Sequence, residues 1–226
     1  MMLTFKRVVQ AGFIAGLLAS SAAMAADAAA PATAVPTSVD TSGPSQLIES
    51  SANILLNGID SRRAEFRKDP TGLYKLVGET LLPYFDTPYS AQLVLGKHWR
   101  TATADQRKRF VDAFYNSLLY TYGDAMIDFT ADRLRVFPTK VDDTTDRATV
   151  RTEIKRSNGT KVQVNYSLRK VSGQWKAWDV VIDGISYVKS YREDYGAEVD
   201  QKGLDAVITR LEAKANSAKA AKVKTT

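Results

Sequence analysis

The side chains able to do chemistry are few, and their spacing assembles none of the usual reaction centres. His98, in Gly96-Lys97-His98-Trp99-Arg100, is the only histidine, so a His-rich metal site is excluded and a His-based triad would have to use this one residue. There is no cysteine, which removes thiol catalysis and disulfides together. No Gly-x-Ser-x-Gly elbow, P-loop or Gly-x-Gly-x-x-Gly run is present. Asp142, Asp143 and Asp146 lack the spacing of an EF-hand loop and read as a solvated connection between strands. Asn158-Gly159-Thr160 matches a glycosylation sequon, but its place in a tight turn explains it without a glycan. One carboxylate sits inside an apolar run, Asp179. It is the candidate acid–base group for an enzyme acting on a small hydrophobic substrate; otherwise it satisfies backbone or tyrosine donors.

The elements that would position these groups are dominated by strands. Arg147–Arg156, Lys161–Lys170 and Trp175–Gly184 alternate or run apolar, with turn signals at Asn158-Gly159 and Ser172-Gly173. Arg133–Val141 reads as a fourth strand. Arg151, Glu153 and Lys155 share one side, as do Gln163, Asn165, Ser167 and Arg169; Val150, Ile154, Val162, Val164, Tyr166 and Leu168 share the other. Successive strand side chains point to opposite faces, so the sheet has a wet face and an apolar face that helices must cover.

Helical segments precede and follow the sheet. Gln46–Asn57, Ile59–Lys68, a helix opened by Asp69-Pro70, and Pro88–Leu95 come first, with a stop or kink at Pro83. Thr103-Ala104-Asp105-Gln106 is a capping box. The helix it opens carries Phe110, Val111, Phe114, Tyr115, Leu118, Leu119 and Tyr122 around more than half its circumference, so it touches something on two sides. Ile185–Val199 and a last helix beyond Gly203 follow the sheet. This pattern fits a plain core and a core with a ligand cavity equally well.

Lys6 and Arg7, an apolar stretch from Val8 to Ala19 and Ala23-Met24-Ala25 have the layout of a cleaved signal peptide over residues 1–25, and the apolar stretch is short of the ~20 residues that span a bilayer. Residues 26–44 form an Ala/Pro/Thr-rich linker, 45–215 the folded domain and 216–226 a basic tail. Removing Lys6 and Arg7 lowers the formal charge from +6 to +4, far from a nucleic-acid binder's signature.

Several segments together resemble the MlaC, or toluene-tolerance, family of periplasmic phospholipid-binding proteins. They are Gly72–Asp86 (GLYKLVGETLLPYFD), Phe110–Tyr122 (FVDAFYNSLLYTY), Trp175–Ser186 (WKAWDVVIDGIS), Tyr191-Arg192 and Gln201–Asp205 (QKGLD). The resemblance implies an α+β fold: a four-stranded twisted antiparallel sheet with one face covered by a mainly helical layer, enclosing a lipid cavity, somewhat like the nuclear transport factor 2 cone. It also implies a soluble periplasmic carrier with glycerophospholipid as cargo and no cofactor, metal or catalytic role. Its implied partners are an outer-membrane lipoprotein–porin complex and an inner-membrane ABC transporter with its periplasmic lipid-binding subunit. On this reading the sheet contributes Val150, Ile154, Val164, Tyr166 and Leu168 to the cavity. The last strand adds either Trp178, Val180 and Ile182 or the opposite parity; the first set is preferred because the other contains Asp179. Leu81, Tyr84, Phe85, Phe110, Phe114, Leu118 and Val188 complete the wall. A cone-fold enzyme using Asp179 and a lipid-free interaction module are the alternatives.

Overall fold

Two tight turns shape the sheet. Ser172 and Gly173 both take positive φ (50° and 80°), and Val171 pairs with Gln174 across them, the two-residue hairpin that the sequence predicts. Asp183 and Gly184 do the same (48° and 84°), with Ile182 paired to Ile185. From the sequence Gly184 reads as a simple strand breaker; Asp-Gly in fact turns the chain back into a short fifth strand. The computed structural model describes residues 38–130, 134–139, 141, 144–155 and 159–223. The expected signal peptide, most of the linker and the turn residue Asn158 lie outside them.

The strands are β1 (Leu134–Val136), β2 (Arg147–Lys155), β3 (Lys161–Val171), β4 (Gln174–Ile182) and β5 (Ile185–Ser186), all antiparallel and ordered as in the chain. β1 is shorter than predicted. Phe137 still donates its N–H to the Arg151 carbonyl, but Pro138 has no N–H to continue the ladder.

The helices are α1 (Pro44–Lys68), α2 (Thr71–Thr80), α3 (Thr87–Leu95), α4 (Lys97–Thr101), α5 (Ala104–Tyr122), α6 (Tyr187–Lys202) and α7 (Leu204–Val223). α1 replaces two expected helices and runs straight through Gly58, departing from helical geometry only at Arg62. Gly58 is needed for packing, because a Cβ there would stand 2.8 Å from Leu76 Cδ2 on α2. Its N-terminus also reaches into the expected linker: Val39 packs against the sheet cluster and the Asp40 N–H donates to Ser50 Oγ. α2 stops before Pro83 as predicted, passing into a 3-10 turn at Leu82–Tyr84. α5 begins at the predicted capping box, with Thr103 Oγ1 and Gln106 Oε1 each accepting the other residue's backbone N–H. α7 continues through residues expected to be tail.

The interior divides into three apolar clusters. One joins α3, α5, α6 and α7; one joins the start of α1 to the sheet; one joins the end of α1 to α2 and the turn at Gly123–Asp128.

Candidate functional site

The apolar face of the sheet is covered in two different ways. Over its first half, Leu47 and Ile48 of α1 pack onto Val150, Leu168, Trp175 and Ala177, all buried. Tyr84 and Phe85 close the rim, and the chain there is stitched to the β4 edge: Phe85 bridges Ala177, and the Asp86 N–H donates to the Ala177 carbonyl at 2.7 Å. Asp86 caps α3 by accepting the Tyr89 N–H, and its other oxygen accepts from Arg169 Nε at 2.7 Å.

A β-bulge then shifts the register. Leu168 pairs with Ala177 but Ser167 with Asp179, leaving Trp178 as the extra residue. The inner face therefore carries Trp175 and Ala177 before the bulge and Val180 and Ile182 after it, so neither single parity is right. Trp178 lies edge-on to Tyr89 of α3 at 5.7 Å, away from the Val150–Leu168 cluster. Its carbonyl accepts from Ser90 Oγ, and its Nε1 is buried with no partner among the described residues. Asp179 is occupied structurally. Its two oxygens accept the Val188 N–H at 3.0 Å and the Ser186 hydroxyl at 2.6 Å, fastening the start of α6. The acid–base group of the enzyme reading is thus a helix anchor.

Beyond the bulge the inner face is only partly covered. Register places Tyr166 beside Val180, Val164 between Thr152 and Ile182, and Ile154 beside Val162. Val162, Val164 and Thr152 are buried, and the Thr152 hydroxyl is spent on the Val164 carbonyl at 2.7 Å. Ile154, Tyr166, Val180 and Ile182 keep part of their surface uncovered. Burial alone pushes the Tyr166 hydroxyl up to about 12 although the side chain is not fully enclosed.

On the helical side, Leu81 and Leu118 are likewise half-buried, at the margins of separate clusters. Tyr115, absent from the predicted wall, is half-buried as well. Its hydroxyl is buried without a partner among the described residues and is pushed up to about 12, mainly by burial. It precedes Leu118 by three positions, so helical spacing alone could have found it.

The other predicted helix residues are placed differently. Phe110, Phe114 and Val188 were expected to face the sheet; they are buried in the helical cluster. Phe110 and Phe114 stack at 5.7 Å, and Tyr195 meets both edge-on. α5 packs chiefly on α7, which takes up its second apolar side. Val150 and Leu168 lie under α1. His98 also has a structural setting: its Nε2 is 3.3 Å from Asp200 of α6, which Lys97 binds at 2.9 Å. Two open grooves lie elsewhere, one of 670 Å³ by Thr41–Gln46 and Trp175, one of 170 Å³ between α5 and α7, both lined largely by polar residues.

Residues 49–213 match the MlaC protein family. The chain is 28% identical over 163 residues to the toluene tolerance protein ttg2D of Pseudomonas putida, covering 72% of this chain and 75% of that one. It is 25% identical over 178 residues to the intermembrane phospholipid transport system binding protein MlaC of Haemophilus influenzae, covering 77% and 83%. Its fold is that of the phospholipid-binding protein from Ralstonia solanacearum solved in complex with a phospholipid, with a TM-score of 0.69 and 20% identity over 76% of this chain and 96% of that one.

Proposed function

Because this chain belongs to the MlaC family, we propose that it is a carrier that holds a glycerophospholipid by its acyl chains and moves it between membranes. The observation that carries this reading is the partly uncovered apolar patch on the inner sheet face beyond the bulge: Ile154, Tyr166, Val180 and Ile182. Leu81, Tyr115 and Leu118 supply the helical wall, with Tyr84 and Phe85 at its edge. The names of the Haemophilus and Ralstonia relatives, both tied to phospholipid, agree with it.

The physics sets the demand on such a wall. Two acyl chains hold roughly thirty methylenes, whose exposure to water costs about 25 kcal/mol at ~0.8 per CH₂. A carrier must hide nearly all of that area. Against a bilayer, an apolar wall gains little, so loading and release stay close to balance and direction comes from the partners. Export by the leader at residues 1–25 places the carrier in the periplasm. There it shuttles lipid between an outer-membrane lipoprotein–porin complex and an inner-membrane ABC transporter, maintaining outer-membrane lipid asymmetry. The chain supplies no catalytic group and needs no cofactor. With the wall almost wholly apolar, chains rather than headgroups provide recognition.

Organic extraction of protein purified without detergent from its own periplasm tests this. About one glycerophospholipid per chain is expected; an empty, folded protein would overturn the proposal.

A further inference from the structure

The outward face of the sheet carries a charge distribution that the cargo does not explain. Register lines up Arg147, Arg169 and Lys176 as direct cross-strand neighbours on β2, β3 and β4. Like charges placed directly opposite destabilise a sheet, and only Arg169 is offset, by Asp86 at 2.6 Å. Arg135, Arg151 and Lys155 extend the basic surface along β1 and β2, all exposed. The outward positions of β1, β2 and β3 contain one carboxylate, Glu153, and Lys161 binds it at 2.9 Å. Among the described residues, Arg135, Arg147, Arg151, Lys155 and Lys176 have no carboxylate partner within ion-pair distance. Exposed carboxylates sit on other elements, among them Glu193, Asp194 and Asp200 of α6.

We propose that this outer sheet face docks the protein electrostatically on an anionic phospholipid surface. Protein interfaces are gripped by apolar or aromatic anchors that bury in a partner's pocket. The aromatic rings on this face are covered by its cations: Phe137 lies beneath the guanidiniums of Arg135 and Arg151, at 4.7 and 5.9 Å, and Tyr89 beneath that of Arg169 at 3.8 Å, its hydroxyl accepting from Arg147 Nη2 at 3.4 Å. The large exposed hydrophobics, Tyr122 and Ile185, belong to α5 and β5. A surface of cations without anchors fits a fluid layer of anionic headgroups, which it meets by charge alone. The face is opposite the cargo wall, so the inference stands independently of what the wall holds.

The test compares two variants of equal net charge. One is R135Q/R147Q/R151Q/K155Q on the sheet; the other is K68Q/K75Q/K189Q/K214Q on the helices, all exposed lysines. Flotation with phosphatidylcholine vesicles, with and without phosphatidylglycerol, measures binding at low and raised salt. Circular dichroism melting establishes that each variant is folded. The natural chain should float only with the phosphatidylglycerol vesicles and should be released by salt, since exposed charges are screened within a Debye length. The sheet variant should bind about a thousandfold more weakly at low salt, at ~1 kcal/mol for each cation removed, and the helix variant nearly as well as the natural chain. Equal losses in the two folded variants, or equal flotation with both vesicle types, would overturn the proposal, leaving bulk charge or an acidic protein partner as the reading.

Discussion

The helical cluster and the inner sheet face beyond the bulge are built from the same residue types and end in different states. Phe110, Phe114, Val207, Ile208 and Leu211 are enclosed on all sides by other helices. Tyr166 and Val180 are neighbours in register and Ile182 follows on the same face, yet among the described residues all three keep part of their surface uncovered. The difference lies in what stands opposite. α5 and α7 pack against each other along their length, whereas α1 covers the sheet only around Val150 and Leu168. The apolar face left partly open is the feature on which the proposed carrier role rests.

Deleting side chains in the two regions should therefore read differently. Phe110→Ala removes a fully enclosed ring and is expected to cost about 3–5 kcal/mol of unfolding free energy. Ile182→Ala, with part of its surface already uncovered, should cost about 1 kcal/mol or less in the lipid-free protein. Urea titrations of stripped protein measure both. Comparable large losses would mean that the patch is as filled as the helical core, and the contrast would collapse.

A smaller effect sharpens the comparison at alkaline pH. Tyr166 in the patch and Tyr195 in the helical cluster are both pushed up to about 12, chiefly by burial. An unfolded tyrosine loses its proton near 10. Above that value the unfolded state releases protons that the folded state keeps. The stabilisation is thus fully present below pH ~10 and is lost as pH rises toward ~12. Tyr166→Phe and Tyr195→Phe should each flatten part of this decline in denaturation midpoint. A Tyr166→Phe profile identical to that of the natural chain would place Tyr166 in water.

Much of this architecture is legible in the residues. The Ser172-Gly173 hairpin, the Thr103–Gln106 capping box and the stop at Pro83 follow from local chemistry, because turns and caps are decided within a few positions. The inward set Val150, Val162, Val164 and Leu168 follows from alternation. Features set by distant partners are not legible in this way. The apolar breadth of Phe110–Tyr122 announces two contacts but not that α7 is one of them. The bulge at Trp178 is invisible to a period-two pattern, since the run Trp175–Ile182 is apolar on both parities. Asp179, a candidate acid–base group in one dimension, becomes an anchor only once α6 folds back on β4. Asp183-Gly184 is a local hairpin signal that a strand-breaker reading passes over.

The central claim is that the inner sheet face beyond the bulge is the cargo wall, and enlarging one residue tests it most directly. Val180 pairs with Tyr166 on the inner face, while Val181 pairs with Asn165 and points to the opposite face. Overpacking a filled core typically costs about 1–3 kcal/mol; adding bulk to a gap held open for a ligand instead displaces the ligand. Phospholipid copurifying with Val180→Trp and Val181→Trp should be measured against the natural chain, with melting temperatures beside it. Val180→Trp should remain folded and carry little lipid, and Val181→Trp should carry as much as the natural protein. Equal lipid in both folded variants would contradict the account.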